Sequence, residues 1–269
     1  MRIAVFSDIH GNSIGLDAVL ANIEAKGGAD HYWILGDHVA IGPDPVGVMK
    51  RLLALPSAEF IRGNGDRYIY SGERPPPTQK EALADPSLLP TLIEVESNFA
   101  WTTGIMAEFG WVSWLKDLPF EINKRLPDGT IMQGIHSSPW RDNDEVGFCP
   151  LRSDEQIREF ADACIGDLVF CGHTHWPWDV TVGKKRIVNV GSIGNPNIPS
   201  LNACWTLLKA AKSGYHLEQF EVTYDRQTVI GMTKSKLQPG AAFIRSHYTG
   251  ERVRPWKVEK SYEIKSSNH

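Results

Sequence analysis

Short apolar runs that end directly in a carboxylate, amide or imidazole side chain constrain the fold of this chain more than any other feature. Five such runs occur, and they are followed by Asp8, Asp37, Asn64, His136 and His173. A short apolar run bounded by turn residues is typical of a buried strand. Because segments with helical spacing separate several of these runs, the pattern predicts an α/β fold with a parallel sheet.

The remaining segments complete a prediction for the whole chain. Helical spacing predicts helices at 13–26, 45–54, 91–117, 153–163, 225–235 and 240–248. The later part of the chain is rich in predicted strands, at 119–124, 130–135, 167–171, 178–182, 186–190, 203–208 and 215–222. We interpret residues 1–250 as one domain with a small helical cap inserted at 71–118, in which 71–90 is a surface excursion. Residues 251–269 are interpreted as a polar C-terminal tail.

Composition and charge exclude several classes of protein. The chain has 269 residues, of which 42% are hydrophobic, so it can bury a core without disulfides or structural metals. The net charge of -4 argues against a general nucleic-acid or membrane surface. No apolar run approaches the roughly 18 residues of a membrane span, and the strand-like start lacks a signal-peptide pattern. Cys171 lies in an apolar run, as expected of a buried thiol in a cytoplasmic protein.

The residues that follow the apolar runs have side chains that bind transition metals. Seven candidates are present, namely Asp8, His10, Asp37, Asn64, His136, His173 and His175. Ligands gather at the carboxyl ends of strands in open α/β sheets, so these residues can converge although they are distant in sequence. Three oxygen donors and four imidazoles suit Mn, Fe, Zn, Co or Ni better than Ca or Mg. If one carboxylate is shared, the set can hold two divalent ions with four ligands each.

Each candidate also has a simpler interpretation when it is considered alone. Asp37 can cap a helix or a turn, and Asn64 can close an Asx-turn. An isolated Asp-x-His or His-x-His sequence is usually a detail of a loop. The occurrence of all of them, each after an apolar run, favours the metal site.

The segments that carry these residues form a recognisable set of motifs. They are Asp8-Ile9-His10-Gly11-Asn12, Gly36-Asp37, Gly63-Asn64-Gly65-Asp66, Gly134-Ile135-His136 and Gly172-His173-Thr174-His175. Together they resemble the calcineurin-like metallophosphoesterase superfamily. The stretches 42–45 and 189–196 resemble its small bacterial and archaeal phosphodiesterase subgroup. The resemblance covers about residues 1–250 and implies a four-layer α/β-β/α sandwich of two packed sheets between helices.

The resemblance also implies a role for each ligand. One metal would be bound by Asp8, His10, Asp37 and His175. The second would be bound by Asp37, Asn64, His136 and His173. Asp37 would bridge the two ions, a hydroxide between them would be the nucleophile, and Asn64 would also lie near the phosphate.

Two departures from the family pattern affect the expected activity. Gly65 stands where the family usually has a histidine that protonates the leaving group, so His38 or a metal-bound water is the candidate substitute. The alternative for His38 is a surface or supporting position. Without a histidine beside it, Asp66 is expected to cap a helix or anchor a loop. Gly42 stands where many protein phosphatases of the superfamily have an aspartate, which argues against phosphoprotein substrates.

Charged and aromatic residues near the motifs are candidates for substrate contacts. Arg67 and Arg141 can bind phosphate. Trp140, Trp176 and Trp178 can stack on a base, although packing against neighbouring structure is the commoner use of such residues and is favoured.

The function that the sequence predicts is hydrolysis of small phosphate esters or nucleotides by a dinuclear phosphodiesterase. The alternatives are a dinucleoside polyphosphate hydrolase and a non-catalytic metal-binding scaffold with the same fold. A nuclease is disfavoured because nucleic-acid affinity depends largely on neutralising phosphates. The expected partner is therefore a small phosphorylated molecule rather than a nucleic acid or a membrane.

Overall fold

The computed structural model describes residues 1–144 and 147–251 and the backbone of 261–264. Its strands form two mixed sheets. The first sheet has the order β10-β9-β1-β2-β3. Its strands are β1 (Arg2–Phe6), β2 (His31–Ile34), β3 (Ala58–Phe60), β9 (Ala203–Ala211) and β10 (Gly214–Val222). The second sheet has the order β11-β7-β8-β6-β5-β4. Its strands are β4 (Glu121–Arg125), β5 (Ile131–Ile135), β6 (Leu168–Cys171), β7 (Pro177–Val182), β8 (Lys185–Val190) and β11 (Ser261–Ile264).

The helices lie outside the two sheets. They are α1 (Ser13–Ala25), α2 (Pro45–Leu53), α3 (Asn64–Ser71), α4 (Gln79–Ala84), α5 (Leu89–Glu108), α6 (Val112–Asp117), α7 (Asp154–Ala163), α8 (Arg226–Ser235) and α9 (Ala241–Thr249). The predicted helices are confirmed to within about two residues, except that the segment predicted at 91–117 forms two helices, α5 and α6. The predicted strands are confirmed to within about three residues.

Alternation of side chains along β1 shows how the layers are held together. Ile3 and Val5 belong to a buried cluster that also contains Phe170 and Val188 of the second sheet. Phe6, on the opposite face of β1, belongs to a cluster with the helices α1 and α2. Another cluster joins α7 to the outer face of the second sheet. The predicted four-layer sandwich is therefore confirmed, since each sheet has one face against the other sheet and one against helices.

Parallel pairing places the loops of the candidate site side by side. In the first sheet, β1 pairs in parallel with β2 and β2 with β3. In the second sheet, β5 pairs in parallel with β6 and β6 with β8. The carboxyl ends of parallel neighbours meet at one edge. The segments that follow β1, β2, β3, β5 and β6 contain the seven candidate ligands, of which Asn64 is the first residue of α3.

The predicted insertion at 71–118 forms α4, α5 and α6, and it packs onto the main body. Its buried residues, such as Val95 and Phe99, share a cluster with Val39 and Met49, which lie near β2 and in α2. The segment 71–90, predicted as a surface excursion, is mostly exposed and contains the short helix α4, which was not predicted. This helix begins with a capping box in which Thr78 and Glu81 satisfy each other's backbone amides. The helix α3 was not predicted.

The polar tail predicted at 251–269 lies mostly outside the described residues. Four of its residues, Ser261–Ile264, form β11, which pairs in parallel with β7 at the edge of the second sheet. Within the described part of the chain, no helix combines the length and hydropathy that crossing a bilayer requires.

Candidate metal centre

Donor atoms from both sheets converge above the carboxyl ends of the central strands. Asp8, His10 and His175 form one group in which the donor atoms all lie within 4.8 Å of one another. Asp8, Asp37 and His136 form a second group by the same measure. Asn64 and His173 complete the set, because the Asn64 side chain lies 3.1 Å from His136 Nε2 and 2.8 Å from His173 Nδ1. The structure therefore brings all seven predicted residues together.

Asp8 is a buried carboxylate with an oxygen that faces nitrogens. Its Oδ1 atom lies 3.1 Å from His175 Nε2 and 3.7 Å from His10 Nε2. The same oxygen receives no well-aligned hydrogen bond from the described residues, whereas Oδ2 accepts one from the His173 backbone amide at 2.9 Å. A buried oxygen in this situation is costly unless a cation or proton compensates it, so the environment of Asp8 fits a bound cation.

Asp37 lies between the two groups. Its Oδ2 atom is 3.7 Å from His10 Nε2, and its Oδ1 atom is 3.6 Å from His136 Nε2. The Gly65 backbone amide donates to Oδ1 at 2.7 Å, which fixes the orientation of the carboxylate. One carboxylate thus presents separate oxygens to imidazoles on opposite sides, as a bridging ligand would.

Three of the imidazoles are oriented by backbone carbonyls. His10 Nδ1 contacts the Ala40 carbonyl, and His136 Nδ1 lies 2.6 Å from the Leu35 carbonyl. His173 Nε2 lies 2.9 Å from the Asp144 carbonyl. Because a carbonyl accepts hydrogen bonds, each neutral ring carries its proton on the bonded nitrogen. The other nitrogen of each ring therefore faces the site with a lone pair, which is the arrangement typical of metal-binding histidines.

The amide of Asn64 can serve the same site in either orientation. Its oxygen can bind a cation beside the nitrogens of His136 and His173. After rotation of the amide, its NH₂ group donates to both nitrogens, at 3.1 and 2.8 Å. The second orientation satisfies the hydrogen bonds of the metal-free protein, and the first suits a protein that holds a cation.

Five of the seven candidates have a left-handed backbone. Asp8, His10, Asp37, His173 and His175 have φ angles of 54°, 49°, 53°, 66° and 60°. This conformation is uncommon for residues other than glycine, and such residues concentrate at functional sites. The turn at Gly172 is equally tight, since a Cβ there would lie 2.3 Å from Asp8 Oδ2. The loops thus hold the donors in positions that relaxed turns would not provide.

Burial and neighbouring charges set the protonation of the donors. Burial lowers the pKa of His173 to about 3, with a further contribution from His136. Burial also lowers the pKa of His10, although Asp37 opposes the effect. For Asp8, burial raises the pKa, but the neighbouring imidazoles, first among them His175, outweigh it and hold the pKa well below its ordinary value. His10 and His173 are therefore neutral at pH 7, which metal binding requires.

The structure does not support His38 as the proton donor to a leaving group. Its side chain is fully buried, and His38 Nδ1 lies 2.8 Å from Asp66 Oδ2. The ring packs against Phe60 and Trp114 and does not line the cavity above the donors. A side chain enclosed in this way cannot reach a substrate, so the assignment is corrected to a supporting position.

Asp66 is a loop anchor, as predicted, but it has a histidine partner. Its carboxylate accepts hydrogen bonds from the backbone amides of Asp37, His38 and Gly63 at 2.8, 3.0 and 2.9 Å. Its partner is His38 rather than a residue at position 65. The contacts tie the loop after β2 to the first turn of α3.

The two arginines predicted to contact substrate lie elsewhere. Arg67 donates to both oxygens of Asp142 and to Glu73, and these hydrogen bonds raise its pKa. Arg141 is exposed and, like Arg67, does not line the cavity. Both assignments are therefore corrected, because the guanidinium of Arg67 is already paired and that of Arg141 lies outside.

The tryptophans near the ligand loops mostly pack, as favoured from the sequence. Trp176 and Trp178 are buried in the cluster beneath α7, whereas Trp140 is half exposed and meets the edge of Phe160.

A cavity of about 280 Å³ lies directly above the donor set. His10, Asp37, Asn64, His173 and His175 form part of its lining. The rest includes Tyr68 of α3, Pro75 and Pro76 between α3 and α4, Glu94, Val95, Asn98 and Phe99 of α5, Asn195, and Phe243 and His247 of α9. These lining residues were not predicted from the sequence. Polar or aromatic residues at helical spacing in α5 and α9 were the available signal, and it does not distinguish a cavity wall from a packed face.

Known proteins resemble this chain in both sequence and structure. The sequence model of the calcineurin-like phosphoesterases matches residues 1–177. A symmetrical bis(5'-nucleosyl)-tetraphosphatase of Pectobacterium carotovorum is 34% identical over 76 residues, which are 27% of this chain and 27% of that protein. The match thus spans about a quarter of the length of that relative.

Solved structures resemble the chain over nearly its whole length. A hypothetical protein of Pyrococcus horikoshii has a TM-score of 0.73 and 22% identity, with coverage of 91% of this chain and 96% of that one. A metallophosphoesterase of Sphaerobacter thermophilus has a TM-score of 0.70 and 20% identity, with coverage of 93% and 98%. At this level of identity the likeness concerns the fold.

Proposed function

The chain belongs to the calcineurin-like phosphoesterase family, and on that premise we propose that it is a metal-dependent phosphodiesterase of small phosphate esters or nucleotides. One observation carries the proposal. Carboxylate oxygens and imidazole nitrogens from the loops of both sheets converge at the floor of a single cavity. A mixed set of this kind fits Mn, Fe, Zn, Ni or Co.

Two divalent ions can be assigned to the donors in the proposed site. One would be bound by Asp8, His10, Asp37 and His175. The other would be bound by Asp37, Asn64, His136 and His173. When bound, the ions would activate water for attack on phosphorus and balance the charge that develops on the phosphoryl oxygens.

The side chains of the protein hold and complete this arrangement. Backbone carbonyls orient His10, His136 and His173, so that each ring presents one nitrogen to the site. Asn64 lines the cavity, and its amide group is the proposed contact to a phosphoryl oxygen. Asp37 is the proposed bridge because its two oxygens face different imidazoles.

The source of the proton for the leaving group is a specific feature of the proposed enzyme. Gly65 carries no side chain that could donate, and His38 is enclosed away from the cavity. General-acid help from a side chain typically contributes about 10²–10⁴-fold. We therefore expect aryl esters and phosphoanhydrides, whose leaving groups need little protonation, to react much faster than alkyl esters.

The first experiment is hydrolysis of bis-p-nitrophenyl phosphate by protein from which metal has been removed. Mn, Ni, Zn, Fe and Mg are added back separately, and metal content per chain is measured in the same samples. Turnover that returns with a transition metal, at two ions per chain, is the expected result. Absence of turnover with every metal, despite two bound ions, would favour the scaffold alternative.

A second candidate is hydrolysis of dinucleoside polyphosphates. It is favoured by the 34% identity to a symmetrical bis(5'-nucleosyl)-tetraphosphatase. The matched segment is only 27% of that protein, so its substrate is a weak guide. A dinucleoside tetraphosphate included in the same assay series distinguishes the two candidates.

We also propose a cytoplasmic setting and a small phosphorylated partner rather than a nucleic acid. The net charge of -4 supports the partner class. Four free, buried cysteines support a reducing compartment. Burial raises the pKa of Cys164 to about 12, which keeps this thiol unreactive.

A further inference from the structure

The wall of the cavity above the donor set is rich in aromatic rings. Tyr68 of α3 and Phe99 of α5 meet edge to face, with ring centroids 5.8 Å apart. Phe243 and His247 of α9 form a second edge-to-face pair at 5.1 Å. All four line the cavity. Surfaces of this kind accommodate a flat, apolar group by ring contacts.

The wall is poorly suited to bind a chain of phosphates. Among the described residues that line the cavity, none is Lys or Arg, and Glu94 adds a carboxylate to the wall. Arg67 is paired with Asp142 and Glu73. Arg74 is paired with Glu96 at 2.9 Å. Each additional phosphate beyond the one at the donors would therefore lie against apolar groups or a like charge, without the cationic partners that usually bind phosphate.

Asn98 is a further polar residue of the wall. Its amide nitrogen lies 3.3 Å from the carbonyls of Ile41 and Pro239, to which it donates. Its Oδ1 atom is buried and accepts no hydrogen bond from the described residues. Because this oxygen is enclosed, Asn98 supports the wall by tying α5 to Ile41 and Pro239 rather than by contacting a ligand.

From these features we infer that the enzyme selects esters in which a single phosphoryl group carries an uncharged aromatic ring, and that it discriminates against polyphosphate chains. The inference rests on the proposed function, because the phosphoryl group is taken to lie at the donor set. The volume of about 280 Å³ agrees with one ring and one phosphoryl group, since it lies just below the roughly 300–1,000 Å³ typical of ligand pockets.

Inhibition by two phosphonates of equal charge tests the preference for a ring. Phenylphosphonate and methylphosphonate differ in the group that would contact the wall. We expect phenylphosphonate to inhibit hydrolysis of bis-p-nitrophenyl phosphate with an inhibition constant about 10-fold lower. Equal constants for the two compounds would overturn the inference, and this comparison needs no variant.

Substitution of one wall residue tests where the preference originates. Phe243→Leu keeps an apolar side chain but removes a ring, and we expect it to reduce the difference between the phosphonates to about 2–3-fold. Phe109→Leu is the matched control, since Phe109 is half exposed and outside the cavity. An unchanged difference in Phe243→Leu would contradict the assignment.

A third comparison addresses polyphosphates. For the wild type we expect kcat/KM to be at least about 10-fold lower for a dinucleoside tetraphosphate than for bis-p-nitrophenyl phosphate. Glu94→Gln should reduce this difference in kcat/KM several-fold, because it removes a negative charge from the wall. Glu108→Gln, at an exposed position of the same helix, should leave the difference unchanged. Faster turnover of the tetraphosphate by the wild type would overturn the inference while leaving phosphoesterase activity intact. No turnover of any ester would instead count against the proposed function.

Discussion

Among single residues, Asp37 has the position with the clearest consequence for metal binding. Its Oδ2 and Oδ1 atoms lie 3.7 and 3.6 Å from imidazole nitrogens of His10 and His136. Replacing one oxygen by an amide removes the charge and one donor from the centre of the set. The effect should therefore extend to both proposed ions rather than to one.

We expect Asp37→Asn to lower kcat by at least about 100-fold and to reduce the metal content per chain. Elemental analysis after dialysis and hydrolysis of bis-p-nitrophenyl phosphate provide the two measurements. Asp162→Asn, an exposed change on α7, is the control for loss of one negative charge. Near-normal turnover of Asp37→Asn with two ions bound would contradict a bridging role.

The space at Gly65 limits what can replace it. A Cβ at this position would lie 2.9 Å from Asp37 Oδ1, which is closer than side chains normally approach. We expect Gly65→Ala to displace the carboxylate and to lower kcat/KM about 3–10-fold, with weaker metal binding. Gly104→Ala, where a Cβ meets nothing within 4 Å, should leave activity unchanged. Full activity in Gly65→Ala would show that Asp37 adjusts freely.

A residue's role could be predicted where the residues that determine it are close in sequence. Asp8, Asp37 and the other candidate ligands follow strands directly, so the apolar runs indicate their location. The partner of Arg67 could not be predicted, because Asp142 is 75 residues away in sequence and reaches it only in the folded chain. The burial of His38 against Trp114 could not be predicted for the same reason, because Trp114 is also distant from it in sequence.

At the scale of secondary-structure elements, Asp66 connects α3 to the loop after β2. Its carboxylate receives three backbone hydrogen bonds and the contact from His38. An amide side chain in the same place would direct an NH₂ group toward donors. We expect Asp66→Asn to lower the free energy of unfolding by about 2–4 kcal/mol.

The same change should weaken metal binding about 10–100-fold, because the loop that holds Asp37 loses its anchor. Urea unfolding and metal titration measure the two effects. Asp225→Ala, which removes an exposed helix cap of α8, should cost only about 1 kcal/mol and leave metal binding unaffected. If both variants behaved alike, Asp66 would be an ordinary cap.

The two helices that were missed, α3 and α4, have only 8 and 6 residues, so few apolar positions can recur along them. The helix α1 places Leu16, Val19 and Ile23 on one buried face. By contrast, α3 begins with Asn-Gly-Asp-Arg, and its start is fixed by Asp66 and by contacts with other loops. The short helix α4 could have been predicted from the capping box of Thr78 and Glu81.

In the whole molecule, the proposed ions would join the two sheets. Asp8, His10, Asp37 and Asn64 follow strands of the first sheet, and His136, His173 and His175 follow strands of the second. A ligand that binds only the folded state stabilises it by mass action. The stability of the protein should therefore depend on the concentration of free metal.

We expect removal of metal by a chelator to lower the thermal midpoint, and added transition metal to restore it. Metal at about 100 times its dissociation constant should contribute about 2.7 kcal/mol per site. Calorimetric scans at several metal concentrations provide the measurement. Identical midpoints with and without metal would mean that the ions do not hold the sheets together.

The metal-free protein should also lose stability as the pH falls. Burial lowers the pKa of His173 from 6.5 to about 3, so the unfolded chain binds a proton in this window and the folded chain does not. The free energy of unfolding is not reduced by this effect above pH 6.5, and it falls progressively as the pH is lowered to about 3. The loss between pH 7 and pH 5 amounts to about 2 kcal/mol.

Urea unfolding at pH 7 and pH 5 tests this prediction by comparing the wild type with His173→Gln. The variant lacks the titrating group, so its free energy of unfolding should change less with pH. Parallel changes in the two proteins would show that His173 does not have a depressed pKa in the folded state.

The left-handed backbone at five of the candidate ligands has an evolutionary consequence. Each such residue costs the fold on the order of 1–3 kcal/mol that glycine would avoid. Selection for heat tolerance alone would therefore favour glycine at these positions. Such substitutions would remove the candidate metal ligands while leaving the four-layer sandwich intact. A lineage that retains aspartate and histidine there is under continuing selection for what those side chains do.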